Sequence, residues 1–140
     1  MNKGLLVAVL AGMPMLVNAA NQTYLSDFIM NKQTSQAYHQ LIAGHDFPAW
    51  VKQGGTSTPA STVTLQGETW QLLSGCKPHN CPAQSIALLY SPEKGEIHGV
   101  YSDYDQKRDR QTLTWLNLTP ADEAKMRNVL FRRLEGDVAE

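Results

Sequence analysis

The chain has 140 residues, of which 42% are hydrophobic, and a formal net charge of −1 from 12 basic and 13 acidic side chains. It contains no basic run or arginine-rich stripe, which argues against a nucleic-acid partner because phosphate binding needs clustered Lys and Arg. The length supports one domain with a single core.

The first 19 residues have the pattern of a secretory signal peptide. Lys3 supplies the positive charge, residues 5–17 form an apolar run, and Ala19 follows as a small residue at the cleavage position. The run is shorter than the roughly 20 apolar residues of a membrane span. We therefore expect no membrane span, cleavage after Ala19, and a mature domain of residues 20–140 in the periplasm.

The next part of the sequence favours helix and then irregular structure. Residues 25–30 suit a helical turn, and an amphipathic helix is predicted to start at Thr34 or Ser35 and to end before Gly44. Prolines and glycines predict irregular structure over residues 44–60. Trp50 in this region is expected to lie in the core, as is Trp115 further on.

Five segments then have strand patterns. They are residues 62–65, 68–73, 85–90, 96–102 and 111–116. A final helix is predicted with Thr119 as N-cap, Pro120 in its first turn, Asp122 as the third residue after the cap and Gly136 at its end. Consecutive strands flanked by helices predict an α+β fold, a five-stranded antiparallel meander with short helices packed on one face.

The two cysteines of the sequence enclose a proline and a histidine. Cys76 and Cys81 are expected to pair in an exported protein, and closing so short a ring contributes only about 2 kcal/mol. The effect of the ring is therefore more local than global. In the meander this segment joins the second and third strands at a sheet end, where loops carry recognition.

Several functions are compatible with a histidine in such a ring. Four residues between the cysteines match neither a thioredoxin-like site nor a four-ligand zinc site, so we expect no metal and no cofactor. A general base needs an orienting partner and a nucleophile or water, and neither Lys77 nor Asn80 offers a carboxylate, so we expect no enzyme. A purely structural ring stays open and predicts that His79 is replaceable.

The ring also resembles the signature of a known family, the inhibitors of vertebrate lysozyme, which are periplasmic proteins of Gram-negative bacteria. The resemblance continues in the same order through further segments and covers most of residues 36–131. These segments are residues 44–45, 48–51, 54–56, 58–60, 62–65, 67–68 and 113–117.

The resemblance implies a function and a site. It implies a five-stranded antiparallel sheet with short helices and an inhibitor of c-type lysozyme, whose disulfide-closed loop enters the active-site cleft. His79 would then bond the two catalytic carboxyl groups. The loop residues are Cys76, Lys77, Pro78, His79, Asn80 and Cys81.

Some points are left open by this resemblance. Asn80 stands where the commonest family version has an acidic residue, so this position supplies no charge for a contact. The alternative target is another muramidase or one of the cell's own lytic transglycosylases. A monomer and a homodimer are both compatible with the sequence.

Overall fold

The computed structural model describes residues 23–119 and 124–136. Within them, three short helices precede five strands and a fourth helix. The elements are α1 (Leu25–Met30), α2 (Ser35–Ile42), α3 (Ala49–Gln53), β1 (Thr56–Leu65), β2 (Glu68–Cys76), β3 (Gln84–Ser91), β4 (Glu96–Asp105), β5 (Arg110–Leu116) and α4 (Ala124–Leu134). Each strand pairs antiparallel with the next in the order β1-β2-β3-β4-β5. The predicted α+β class and five-stranded meander are confirmed.

The helices cover both faces of this sheet. Helices α1 to α3 contribute to a core cluster that includes Leu73 and Leu88, whereas Leu130 of α4 belongs to a second cluster with Leu72 and Leu89. Neighbouring residues of a strand point to opposite faces, so apolar residues at consecutive positions require cover on both sides. The expectation that the helices pack on one face is therefore wrong for α4.

The region expected to be irregular, residues 44–60, contains α3 and the first part of β1. Helix α3 follows Pro48, buries Trp50 and ends at Gly54, whose φ of 93° suits glycine. Strand β1 includes Pro59 because its register with β2 shifts between Thr58 and Ser61, and β1 is an edge strand. Prolines and glycines here shape the elements rather than exclude them.

The ends of the helices partly match the prediction. Thr34 occupies the N-cap position of α2, but its hydroxyl donates to the carbonyl of Phe28 at 2.6 Å instead of capping the helix. Gly136 follows the end of α4 with a φ of 87°. The predicted start of α4 at Pro120 and Asp122, and the predicted signal peptide, lie outside the described residues.

At the end of the sheet opposite residues 76–81, a small polar cluster joins β2, β3 and the turn after β3. The Ser91 hydroxyl donates to Glu68 Oε1 at 2.7 Å, and Lys94 Nζ lies 3.0 Å from Glu68 Oε2. The hydrogen bond from Ser91 lowers the pKa of the Glu68 carboxyl most, and the hydrogen bond from Lys94 lowers it further. In the described part of the chain, no helix is long and apolar enough to cross a membrane.

Candidate functional site

The loop between β2 and β3 is closed by a disulfide. Cys76, the last residue of β2, is bonded to Cys81 with an S–S distance of 2.06 Å and a Cα–Cα distance of 4.8 Å. The four residues between them, from Lys77 to Asn80, are all exposed. The structure therefore brings the six sequence-predicted site residues together in one projecting ring, which we call the ring loop (residues 76–81).

His79 occupies a constrained position at the tip of the ring loop. The Asn80 N–H donates to the Lys77 carbonyl at 3.0 Å, which makes Pro78 and His79 the central residues of a β-turn. Pro78 has a negative φ by its ring, and His79 has a φ of 65°, a combination that identifies a type II turn. Glycine is favoured at this position, so a histidine there carries backbone strain of the kind found at functional sites.

Backbone hydrogen bonds tie both sides of the ring loop to the sheet. The Lys77 N–H donates to the Gln84 carbonyl at 2.9 Å, directly beyond the last paired residues of β2 and β3. The Ala83 N–H donates to the Asn80 carbonyl at 3.1 Å, and the Tyr104 N–H of β4 donates to the Ala83 carbonyl at 2.8 Å. The ring loop is thus the tip of an ordered hairpin connection.

A side-chain bridge supports the base of the ring loop. Trp50 of α3 is 9% exposed, and its indole N–H donates to Gln84 Oε1 at 2.9 Å. The Gln84 amide in turn donates to Asp103 Oδ2 of β4 at 3.2 Å. The expected burial of Trp50 is confirmed, whereas Trp115 is only half-buried. Gln84 was not predicted as part of the site. The one feature of the sequence that points to it is its position three residues after the ring.

Close backbone packing supports the base from the other side. A Cβ on Gly55, whose φ is 61°, would lie 2.2 Å from the Cys76 carbonyl oxygen and 2.7 Å from Trp50 Cε3. A Cβ on Gly75 would lie 2.2 Å from the Gly54 carbonyl oxygen. Contacts this short are available only to glycine, so the junction of α3 and β1 lies directly against the end of β2.

Buried aromatic residues pack beneath the base of the ring loop. Tyr101 of β4 is 5% exposed and packs against Phe47 with ring centroids 4.5 Å apart. Burial, with a smaller effect of the nearby Asp103 carboxylate, raises the pKa of Tyr101 to about 12. Across residues 23–119 and 124–136, no group of three or more His, Cys, Asp or Glu side chains is placed to hold a metal ion.

Comparison with known proteins identifies the family. The family described as "Inhibitor of vertebrate lysozyme (Ivy)" matches residues 33–129, which is more than half of the chain. The chain belongs to the Ivy family. The protein of Escherichia coli K12 named "Inhibitor of vertebrate lysozyme" is 41% identical over 120 residues, 86% of this chain and 76% of that protein. A protein of the same name from Pseudomonas aeruginosa is 26% identical over 84 residues, 59% of this chain and 55% of that protein.

The Ivy match confirms the resemblance seen in the sequence. Its relatives come from Gram-negative bacteria and are named as inhibitors, so the function of the family is not enzymatic, as predicted. The matched residues include the ring loop, Trp50, Gln84 and the glycines at the base of the loop. The match ends at Val129, inside α4, so the last turn of this helix lies beyond it.

Proposed function

We propose that the mature protein, residues 20–140, inhibits c-type lysozyme by inserting the ring loop into the active-site cleft. In this proposal His79 hydrogen-bonds both catalytic carboxyl groups and the inhibitor turns nothing over. The observation that carries the proposal is the position of His79, which is exposed at the tip of a disulfide-closed turn in a protein of the Ivy family.

The shape of the ring loop favours insertion into a concave site. Binding normally costs conformational entropy, because loops and side chains become ordered at the interface. Here the disulfide, the type II turn and the hydrogen bond from Lys77 to Gln84 order the backbone before any partner arrives. The ring loop therefore loses little backbone freedom when it binds.

The chemistry of an imidazole matches a pair of carboxyl groups. A retaining glycosidase such as lysozyme places its two carboxyl groups about 5 to 5.5 Å apart. One of them has a pKa raised to about 6 and serves as the acid, while the other stays ionised. The two ring nitrogens of His79 point in different directions, and together they can donate to the carboxylate and exchange a hydrogen bond with the acid.

The neighbours of His79 contribute less specific effects. Lys77 is exposed and adds a positive charge next to a histidine that would meet carboxylates. Asn80 uses its backbone N–H and carbonyl to close two consecutive turns, so the missing acidic side chain removes no backbone support. We include export in the proposal, with residues 1–19 as the signal peptide, since an oxidising periplasm favours the disulfide.

The proposal is tested by inhibition of cell lysis. Mature protein is mixed with c-type, g-type and i-type lysozymes and with a lytic transglycosylase, and the clearing of a bacterial suspension is followed by turbidity. We expect strong inhibition of the c-type enzyme, lost in His79→Ala and retained in His39→Ala, which removes an exposed histidine of α2 outside the ring loop. Full inhibition by His79→Ala would exclude the proposed role of this residue. Inhibition of the transglycosylase alone would move the target to the cell's own enzymes.

A further inference from the structure

A groove lies behind the ring loop, between α4 and the first two strands. It has a volume of about 630 Å³. Its walls come from β1, β2, the start of β3, the last turn of α4 and the disulfide itself, and their apolar members include Ala60, Pro82, Cys81 and Leu134. The walls are therefore largely apolar, and the remaining lining residues include serine and threonine hydroxyls and one arginine.

That arginine, Arg133, is 6% exposed and fastens α4 to the irregular part of β1. Its Nε–H donates to Ser74 Oγ at 2.8 Å, and Nη2 donates to Thr58 Oγ1 at 2.9 Å and to the Pro59 carbonyl at 2.7 Å. Nη1 has a long contact of 3.4 Å to Ser61 Oγ. Each of these acceptors is electrically neutral.

Among the described residues, the charge of Arg133 is thus buried without a counter-ion. The ion pairs found among residues 23–119 and 124–136 do not include it, although Glu135 lines the same groove. Desolvation by burial lowers the pKa of the Arg133 guanidinium. A buried charge is normally paired, because leaving it unpaired is costly.

Arg133 also has hydrogen-bonding capacity to spare. A guanidinium has five N–H donors, and three of them make the short bonds from Nε and Nη2. Within residues 23–119 and 124–136, the two N–H groups of Nη1 share one long contact. The Ser61 hydroxyl beside them has a hydrogen of its own that can donate to an anion. A donor set of this kind fits one carboxylate oxygen at Nη1 and the other at the hydroxyl.

We propose that this groove binds a small organic carboxylate, with its carboxylate on Arg133 Nη1 and Ser61 and its apolar part against Ala60, Pro82 and Leu134. The charge complementarity selects an anion, and the apolar walls select one that carries a hydrocarbon portion. The site is separate from His79 and goes beyond lysozyme inhibition, so either proposal can fail without the other.

Binding is measured with butyrate as the probe, at constant ionic strength, on the full mature protein. The ¹H–¹⁵N resonance of Arg133 Nε–H, assigned by its loss in Arg133→Lys, is expected to shift and to saturate with a Kd of about 1 to 10 mM. The amide of Cys81 should shift along with it. Acetate and inorganic phosphate should bind at least about threefold more weakly, because neither places carbon atoms on the apolar walls. Absence of a saturable shift, or equal binding of phosphate, would overturn the assignment.

A carboxylate introduced beside Arg133 by mutation provides a matched test of the site. Ser61→Asp places a carboxylate within reach of Nη1 and should weaken butyrate binding at least about tenfold, while Thr62→Asp, on an exposed neighbour in β1, should leave it unchanged. Ser61→Asp should also melt about 3 °C above Ser61→Asn, which has the same shape without the charge. Equal melting temperatures would show that Arg133 has no need of an anion.

The protein's own acidic residues are tested as competing occupants. A chain with Glu135→Gln, Asp137→Asn and Glu140→Gln should bind butyrate with the same affinity as the unaltered chain. Binding that occurs only in this triple variant would mean that the chain's own carboxylates take Arg133, and it would overturn the proposal of an external ligand.

Discussion

Replacement of His79 by glycine and by alanine separates the role of its side chain from that of its backbone. Both variants remove the imidazole and with it the two hydrogen bonds to carboxyl groups that the proposed function assigns to it, each worth about 1.5 to 3 kcal/mol. The combined loss of about 3 to 6 kcal/mol corresponds to an inhibition constant that rises about 100-fold to about 20,000-fold. Measurement of lysozyme inhibition over a range of inhibitor concentrations gives these constants directly.

The same two variants should differ in folding stability. His79 has a φ of 65°, a conformation that costs an L-residue about 1 to 2 kcal/mol and costs glycine little. His79→Gly removes this cost, but glycine also gives the unfolded chain more conformational freedom, which lowers the stability of the fold by about 0.4 to 1 kcal/mol. The two effects oppose each other, so the free energy of unfolding should stay within about 1 kcal/mol of that of the unaltered protein. His79→Ala keeps the strain and should be less stable than His79→Gly in urea denaturation. If either variant has an inhibition constant within tenfold of that of the unaltered protein, the role of the imidazole is refuted. If the alanine variant is more stable than the glycine variant, the turn assignment is refuted.

Three further perturbations test the support of the ring loop and the opposite end of the sheet. Replacing both Cys76 and Cys81 by alanine should lower the free energy of unfolding by about 2 kcal/mol in urea denaturation, as expected for a ring of six residues, and should weaken inhibition; equal potency would show that the bond has no part in binding. Gly55→Ala should destabilise the fold by more than about 2 kcal/mol, because its Cβ would lie 2.2 Å from the Cys76 carbonyl oxygen. Gly67→Ala is the control, since its φ of 79° is similar but a Cβ there meets nothing within 4 Å, and equal effects of the two changes would contradict the packing argument. Hydrogen bonds lower the pKa of Glu68, so its contribution to stability is present above the ordinary carboxyl pKa and is lost as the pH falls through the folded-state value. The melting temperature of the unaltered protein should therefore fall more steeply below pH 5 than that of Glu68→Gln, and parallel curves would argue against this linkage.

The sequence was sufficient for the tip of the candidate site but not for its base. Cysteine spacing and the proline were enough to predict a rigid display of His79, because these are local effects within six residues. The bridge from Trp50 through Gln84 to Asp103 joins three elements that are far apart in sequence, and no local pattern indicates it. The positive φ of His79 was also not predictable, since a histidine does not signal a position that favours glycine.

The fold shows the same division between local and non-local information. Alternation and turn residues predicted five strands and their order, because neighbouring strands pair through short connections. The placement of α4 on the second face was missed, although consecutive apolar residues such as Leu72 and Leu73 already indicated strands that are buried on both sides. Strand β1 was predicted too short, because Pro59 suggests a break and only the register shift against β2 allows it inside a strand.

Substitutions at the tip and at the base of the ring loop should have different effects on affinity and on stability. The tip is exposed, and the six-residue ring contributes only about 2 kcal/mol to folding, so replacements at His79 should alter affinity far more than stability. The base lies against buried Trp50 and against glycines that accept no side chain, so replacements there should alter both together. A strained histidine at the tip is tolerable because the packed base and the backbone bonds on either side of the ring fix its conformation. Packing at the core of the sheet therefore stabilises the conformation of the ring loop, and the side chain of His79 is free to contact a partner.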